Sequence, residues 1–505
     1  MRRPYPLPAL AVLALSISLR AETPAPQAAT GPQAAPAAAK PALASAVPTW
    51  GYSDFGPAGT VARLSQVLDL DFTEVAFANG VRLNLKKTSF EKDVVRVAAR
   101  LGTGQLTEPA AAEPGLSTFS SLTFTTGGLG KHGIDDLQKI MVGRQAGIRF
   151  TSATDAFLIE GQTNTLNLAF ELQLLAASIA DPGYRPEAQR VARSRIEAAY
   201  QSFAHSERGP LALQLPRLLA NGDPRFGLPS KDEMMARTLD EEKAWLAPQL
   251  ASGPLEVSVV GDIDIDSVID LAARTLGTLP RRDLRPPLDD QRKVSFPRQP
   301  FTKDYGVETK VPKGLVAVYW PTTDGMDIRR ARRLNVLGLL LADRLRLKVG
   351  DRLPSAIPPT VGSTASDIFP GYGYIATIAI VDPPRAKEIE NGIVAVAADL
   401  GANGVKQEEL DRSMVQTLKS VLETELTNGY WMTVLGRAQE RPEVLDWARN
   451  RLADFKAITK ADIDTLAKVY LGGDRASRVV IHPYTAPSAS PLLVSPTPPP
   501  PPDGL

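Results

Sequence analysis

Short alternating runs come first along the chain, and longer amphipathic ones follow. "EVAFANGVRLNLKK" holds two such runs around Asn79-Gly80, a dipeptide suited to a tight hairpin, and so predicts two paired strands. "VVRVAARLG" alternates again and continues the sheet. Helical spacing then takes over, from Gly115 to Thr125, from Ile134 to Ala146, and through "LAFELQLLAASIAD". "PEAQRVARSRIEAAYQSF" is a further helix, with Pro186 in a first turn that has no use for its missing N–H. "LEVSVVGDI" returns as a continuously apolar strand, and "DSVIDLAARTLGTLP" adds an amphipathic helix with its N-cap at Asp266. Strands and helices are grouped rather than strictly alternating, which predicts an α+β fold.

The same grammar then repeats. "ETKVPKGLVAVYWP" gives strands, "IRRARRLNVLGLLLADRLRLKVG" a long helix, "GYGYIATIAIVD" a strand, and "AKEIENGIVAVAADLGANG" and "QEELDRSMVQTLKSVLETEL" two more helices. "RTLDEEKAWLAPQLASGPLEVSVVGD" and "AITKADIDTLAKVYLGGDRASRVVIHP" both run threonine, acidic first turn, helix, short loop, strand. Thr238 and Thr459 correspond at an offset of about 221 residues, too long for a solenoid and suited to a duplicated domain. The expected architecture is two tandem homologous domains, each a mostly antiparallel sheet covered by helices.

Composition narrows the chemistry. A chain of 505 residues exceeds one compact core. With 57 basic and 56 acidic residues it has no global attraction to nucleic acid. It has no cysteine, so disulfides, thiolate metal sites and a cysteine nucleophile are excluded. "MRR", a short apolar run and "LRA" read as an export signal over residues 1–21, which implies a periplasmic or secreted protein with no membrane span after cleavage. Residues 22–67, rich in Ala and Pro, read as a disordered linker, and 486–505 as a Pro-rich tail. The domains are then expected at 68–284 and 301–485, joined by a linker at 285–300.

Several segments together resemble the pitrilysin/insulinase (M16) family of zinc peptidases: "FANGVRLNLKKTSFEKDVVRVAARLG", "PGLSTFSSLTFTTGGLGKHGIDDL", "LEVSVVGDIDIDSVIDLAARTLGTLP", "FPGYGYIATIAIVDPP" and "RPEVLDWARNRLADFKAITKADIDTLAKVYL". The resemblance covers nearly all of the folded part and is strongest to the non-catalytic C-terminal half of the long bacterial members. It implies half of a clamshell that encloses peptides. Active members carry H-x-x-E-H on a helix after a Gly-Leu pair, with zinc on the two histidines and the glutamate as base. Laid on Gly115-Leu116, the ligand positions fall on Thr118 and Leu122 and the base on Ser121. Leucine cannot ligate zinc, and serine is a poor base. The distal acidic position falls near Glu197, read as a surface or ion-pairing residue. His132, His205 and His482 stand at no ligand spacing, and His132 reads as a capping or surface residue. The arginine and tyrosine that the other half of such enzymes supplies fall on Gly350 and Ile357, with Arg346 and Arg352 nearby and prolines at 354, 358 and 359.

This chain is therefore expected to bind no cofactor and to hydrolyse nothing by itself, zinc being the property of a partner. The leading reading is a non-catalytic subunit in a heterodimer with a catalytic M16 chain, a homodimer being possible, around a peptide substrate. The alternative is a stand-alone peptide-binding or scaffold protein of the cell envelope. Tyr372 and Tyr374, alternate residues of one strand, are candidate peptide contacts. A serine hydrolase is disfavoured, because Ser120 and Ser121 have no nearby histidine and no G-x-S-x-G elbow. "VVGDIDIDSV" lacks the glycine and distal glutamate of a calcium loop.

Overall fold

In the computed structural model, which describes residues 47–350 and 358–484, the Asn79-Gly80 turn joins β2 (Phe72–Phe77) to β3 (Arg82–Lys87) as an antiparallel pair. Gly80 has φ 88°, a left-handed value that glycine adopts freely. The Asn79 amide donates to the carbonyls of Leu276, Gly277 and Leu279, so the turn also anchors a loop some 200 residues away.

Among the described residues the first sheet has seven strands in the order β1-β2-β3-β7-β4-β6-β5. Its other members are β1 (Val61–Val67), β4 (Val95–Leu101), β5 (Ile148–Ser152), β6 (Phe157–Thr163) and β7 (Leu255–Gly261). The apolar β7 does not follow the hairpin's neighbour at the edge. It inserts between β3 and β4, parallel to β3, with every residue buried. The second sheet runs β10-β11-β9-β12-β8, from β8 (Thr302–Glu308), β9 (Gly314–Pro321), β10 (Thr360–Ala365), β11 (Gly373–Val381) and β12 (Ser477–Tyr484). Its late strand β12 is again parallel to the early β8 and antiparallel to β9. The order β3-β7-β4-β6-β5 thus recurs strand for strand, and the first lobe adds β1 and β2. The fold is α+β, in two repeated lobes.

Each lobe also carries a set of helices, and one face of each sheet is covered by helices of its own lobe. In the first these include α1 (Leu116–Thr123), α2 (Ile134–Met141), α3 (Leu168–Ala180), α4 (Pro186–Ala204), α5 (Arg208–Leu213), α6 (Leu215–Leu219), α7 (Lys231–Ala236), α8 (Leu239–Ser252) and α9 (Ile265–Ala273). The second has α10 (Ile328–Lys348), α11 (Ala386–Asn403), α12 (Gln407–Glu425), α13 (Asn428–Leu435), α14 (Glu443–Arg449), α15 (Arg451–Lys456) and α16 (Lys460–Tyr470). Thr238 and Thr459 cap α8 and α16 with reciprocal boxes to Glu241 and Asp462.

The opposite faces are covered by exchange between lobes. Leu435, Ala438, Val444 and Leu445 of the second lobe pack on Phe72 and Val260 of the first sheet. Leu215 and Leu219 on α6 pack on Leu315, Tyr319, Val479 and Ile481 of the second. Polar groups close the first of these joints. Glu256 on β7 is 2% exposed and accepts from Asn84 Nδ2 at 2.7 Å and from the N–H groups of Gln439 and Glu440 at 2.8 and 2.9 Å. Asn84 also donates to the Leu435 carbonyl, and Thr88 bonds to Asn428, both across the joint.

Some expectations change. Residues 47–67 are not all linker: β1 pairs with β2, and the Trp50–Phe55 stretch covers α2 and α3 because their apolar residues Leu137, Ile140, Phe170 and Leu174 need a second side. His132 is neither a cap nor at the surface. Gly133 is the N-cap of α2, and His132 is 6% exposed, stacked 5.4 Å from Trp50, its Nε2 accepting the Gly51 N–H. The N-cap of α9 is Asp264, which accepts from Ser267 N–H, while Asp266 sits in the first turn. The expected signal segment, the start of the linker and the tail 486–505 lie outside the described residues.

Candidate functional site

The helix expected to bear metal ligands is α1, and its start explains the Gly-Leu pair. Gly115 has φ 84°, and a Cβ there would lie 2.3 Å from Met234 Sδ. Hydroxyls fill the helix. Ser120, Ser121 and Thr123 each donate to the carbonyl four residues back, at 2.8–2.9 Å. Ser121, at the base position, also accepts the Ser152 N–H at 3.1 Å and so ties α1 to the edge strand β5.

Thr118 and Leu122, one helical turn apart, do share a face. They look onto Arg195, Ile196, Ala199 and Tyr200 of α4, with Phe203, Leu228 and Met234 completing an apolar cavity of about 10 Å³. Glu197 is not part of this lining. It is paired with Lys231 at 2.6 Å, and that bond holds its carboxyl below the usual carboxylate range. A zinc ion does not fit this wall. Its donors would be a hydroxyl and a phenol whose O–H is already given to the Pro229 carbonyl at 2.6 Å, beside a guanidinium cation. Among the described residues no group of three or more His, Asp or Glu could hold a metal ion. His205 bonds through Nδ1 to the Glu308 carbonyl, and His482 lies exposed on β12.

The acids that matter here were hidden from the sequence. Glu242, in the first turn of α8, reads as one of three acidic residues facing a helix N-terminus. In the fold it is fully buried, with a carboxyl oxygen in hydrogen-bond contact with Thr123 Oγ1 at 2.6 Å. Burial pushes its carboxyl up to about 8, and its second oxygen has no partner among the described residues. Glu171 on α3 is likewise buried, accepts only the Gly147 N–H among the described residues, and is pushed by burial up to about 7. Nothing local in sequence separates these acids from surface ones.

Of the positions expected to assist catalysis in the other half of such enzymes, Gly350 is described, while Ile357, Arg352 and Pro354 lie outside the described residues. Arg346 pairs with Asp343 on its own helix. The Tyr372 and Tyr374 rings stand 6.1 Å apart, edge to face. Tyr372 is 5% exposed and packs on Phe226 and Phe369, and Tyr374 packs on Phe296 and Tyr319. These rings fill the joint between the lobes.

Residues 250–416 match the model of the peptidase M16 inactive domain. The chain is M16-like in fold. This M16-like chain is 22% identical over 420 residues to the chloroplastic stromal processing peptidase of Arabidopsis thaliana, covering 73% of this chain and 33% of that one. It superposes on the periplasmic protease PqqL of Escherichia coli with TM-score 0.69 at 17% identity, over 95% of this chain and 51% of PqqL. An M16 inactive domain from Pseudomonas fluorescens matches with TM-score 0.67 at 15% identity, over 82% of this chain and 99% of that one. The M16-like chain thus spans about a third of the plant peptidase and about half of PqqL. Among its described residues no helix is long and apolar enough to cross a membrane.

Proposed function

We propose that this chain is the non-catalytic half of an M16 clamshell, which pairs with a separate zinc-bearing M16 chain outside the cytoplasm and encloses peptides with it. One observation carries the reading: the two-lobe scaffold is kept whole while the face at Thr118 and Leu122 is closed by apolar side chains of α4. The fold likeness supports it: the periplasmic protease PqqL matches this chain over about half of its own length. In this reading the partner alone supplies zinc and its activated water, and this chain supplies the opposing wall.

The test is reconstitution. Purified alone, the chain is expected to carry no stoichiometric zinc by elemental analysis and to leave a fluorogenic peptide library uncut. Mixed with an M16 chain bearing H-x-x-E-H, it is expected to co-elute and to raise cleavage above that of the partner alone. Stoichiometric zinc or peptide cleavage in the lone chain would end this reading. Failure to pair, with peptide binding retained, would favour a stand-alone envelope peptide-binding protein.

A further inference from the structure

The sequence holds five Asn-Gly dipeptides, at Asn79, Asn221, Asn391, Asn403 and Asn428. The pair has a chemistry of its own. Glycine has no Cβ to shield its backbone nitrogen, which can reach the side-chain carbonyl carbon of the asparagine before it. The fold treats the five differently. Asn79 donates to three carbonyls and accepts the Val81 N–H, so its amide is fixed. Asn391 lies inside α11, where the Gly392 N–H belongs to the helical ladder. Asn403 ends the same helix with its amide on Asp399 Oδ1 at 2.8 Å. Asn428 is fully buried at the start of α13 and accepts from Thr88 Oγ1 at 2.6 Å.

Asn221 is held by none of these devices. It follows α6 in an exposed turn with φ 53°, a left-handed value. Among the described residues its side chain makes one contact, from Nδ2 to Ser295 Oγ at 3.4 Å. Gly222 is exposed as well, and a Cβ there would meet nothing within 4 Å, so a ring closing at this point has room. Its N–H is given to the Arg217 carbonyl at 2.8 Å, at the surface, where water can replace that bond. We propose that Asn221 is a site of spontaneous deamidation, selected from the five by the fold. The Gly222 nitrogen attacks Asn221 Cγ, its proton leaves with the side-chain nitrogen as ammonia, and a cyclic imide closes. One water then opens the ring at either carbonyl and leaves aspartate or isoaspartate; nothing is oxidised or reduced. The site lies at the joint between the lobes. Leu215 and Leu219 of α6 pack on the second sheet, and Ser295 lies between α9 and β8. A carboxylate at position 221 stands two residues from Asp223, and the isoaspartate form adds a methylene to the backbone. Ageing of the chain thereby loosens the end of α6 where it holds the second lobe.

The experiment incubates the full chain, folded and denatured in guanidinium, in mildly alkaline buffer. Its proteolytic peptides are then mapped by mass, and isoaspartate is scored by enzymatic methyl labelling. In the folded chain the Asn221 peptide is expected to convert about tenfold or more faster than any of the other four, since reacting atoms held about 1 Å out of place lose on the order of 10²-fold in rate. In the denatured chain all five should convert at comparable rates, because each asparagine precedes a glycine. Asn221→Gly suits the left-handed turn and should remove this conversion while leaving the thermal midpoint unchanged. Hydrogen exchange on the converted chain should show α6 losing protection first. An intact Asn221 in the folded chain, or another of the five converting as fast, would overturn the proposal. An α6 equally protected before and after conversion would overturn the link to the joint.

Discussion

Glu256→Ala tests whether the two lobes are held as one unit by the joint on β7. The carboxylate receives three N–H groups, one from Asn84 in its own lobe and two from the backbone of Gln439 and Glu440 in the other. Hydrogen bonds to a charged acceptor contribute about 1.5–3 kcal/mol each, and the donors left behind are partly buried. Against this, burial pushes the Glu256 carboxyl up, so its removal also relieves a desolvation penalty. The net loss should be about 3–5 kcal/mol, the range for removing one partner of a buried charged network. That is a large share of the 5–15 kcal/mol typical of a folded protein and corresponds to a fall of about 1–2 M in urea midpoint. Glu256→Gln should lose roughly half as much, because one oxygen remains while an amide N–H₂ is turned on one of the backbone donors. The specific readout is hydrogen exchange: the amides of Gln439 and Glu440 should lose protection in Glu256→Ala before the rest of their lobe does. An unchanged midpoint with both amides still protected would refute the reasoning.

Three further outcomes are expected. Glu242 and Glu171 hold protons in the fold that the unfolded chain releases near the ordinary carboxylate range. Their contribution to stability is therefore complete below about pH 4.5 and is lost as pH rises through 7 to 8. The loss for Glu242 should reach at most about 5 kcal/mol, and Glu242→Gln should flatten the pH dependence of the denaturation midpoint; a slope left unchanged counts against the assignment. Trp50→Ala removes the ring stacked on His132 and the bond from its Nε1 to Gln173, and should cost about 2–3 kcal/mol and open residues 47–58 to limited proteolysis. Thr238→Ala and Thr459→Ala should each cost about 1 kcal/mol, and should add in the double variant because the two caps stand in different lobes; a strong departure from additivity would argue against independent capping.

Much of the fold was legible because its signals are local. The Asn79-Gly80 turn, the capping boxes at Thr238 and Thr459 and the repeat at an offset of about 221 residues are each written in contiguous stretches. The metal-position face was legible in part, since residues one helical turn apart must share a side, as Thr118 and Leu122 do. Glu242 and Glu171 escaped. Acids on amphipathic helices are ordinary features of sequence, and only burial and an unpartnered oxygen single these two out.

By itself the sequence determined the kind of elements, their order, their duplication and the absence of metal-ligating side chains at the H-x-x-E-H positions. These follow from nearest-neighbour preferences and residue chemistry, which need no distant partner. The tertiary structure alone decided that β7 would lie between β3 and β4, that His132 would be sealed beneath Trp50, and that each sheet would borrow its second cover from the other lobe. Those outcomes depend on groups hundreds of positions apart, such as Asn84 and the Leu435 carbonyl at a separation of 351 residues. Such groups meet only because an apolar face or a buried polar atom left uncovered in one lobe must be satisfied by the other.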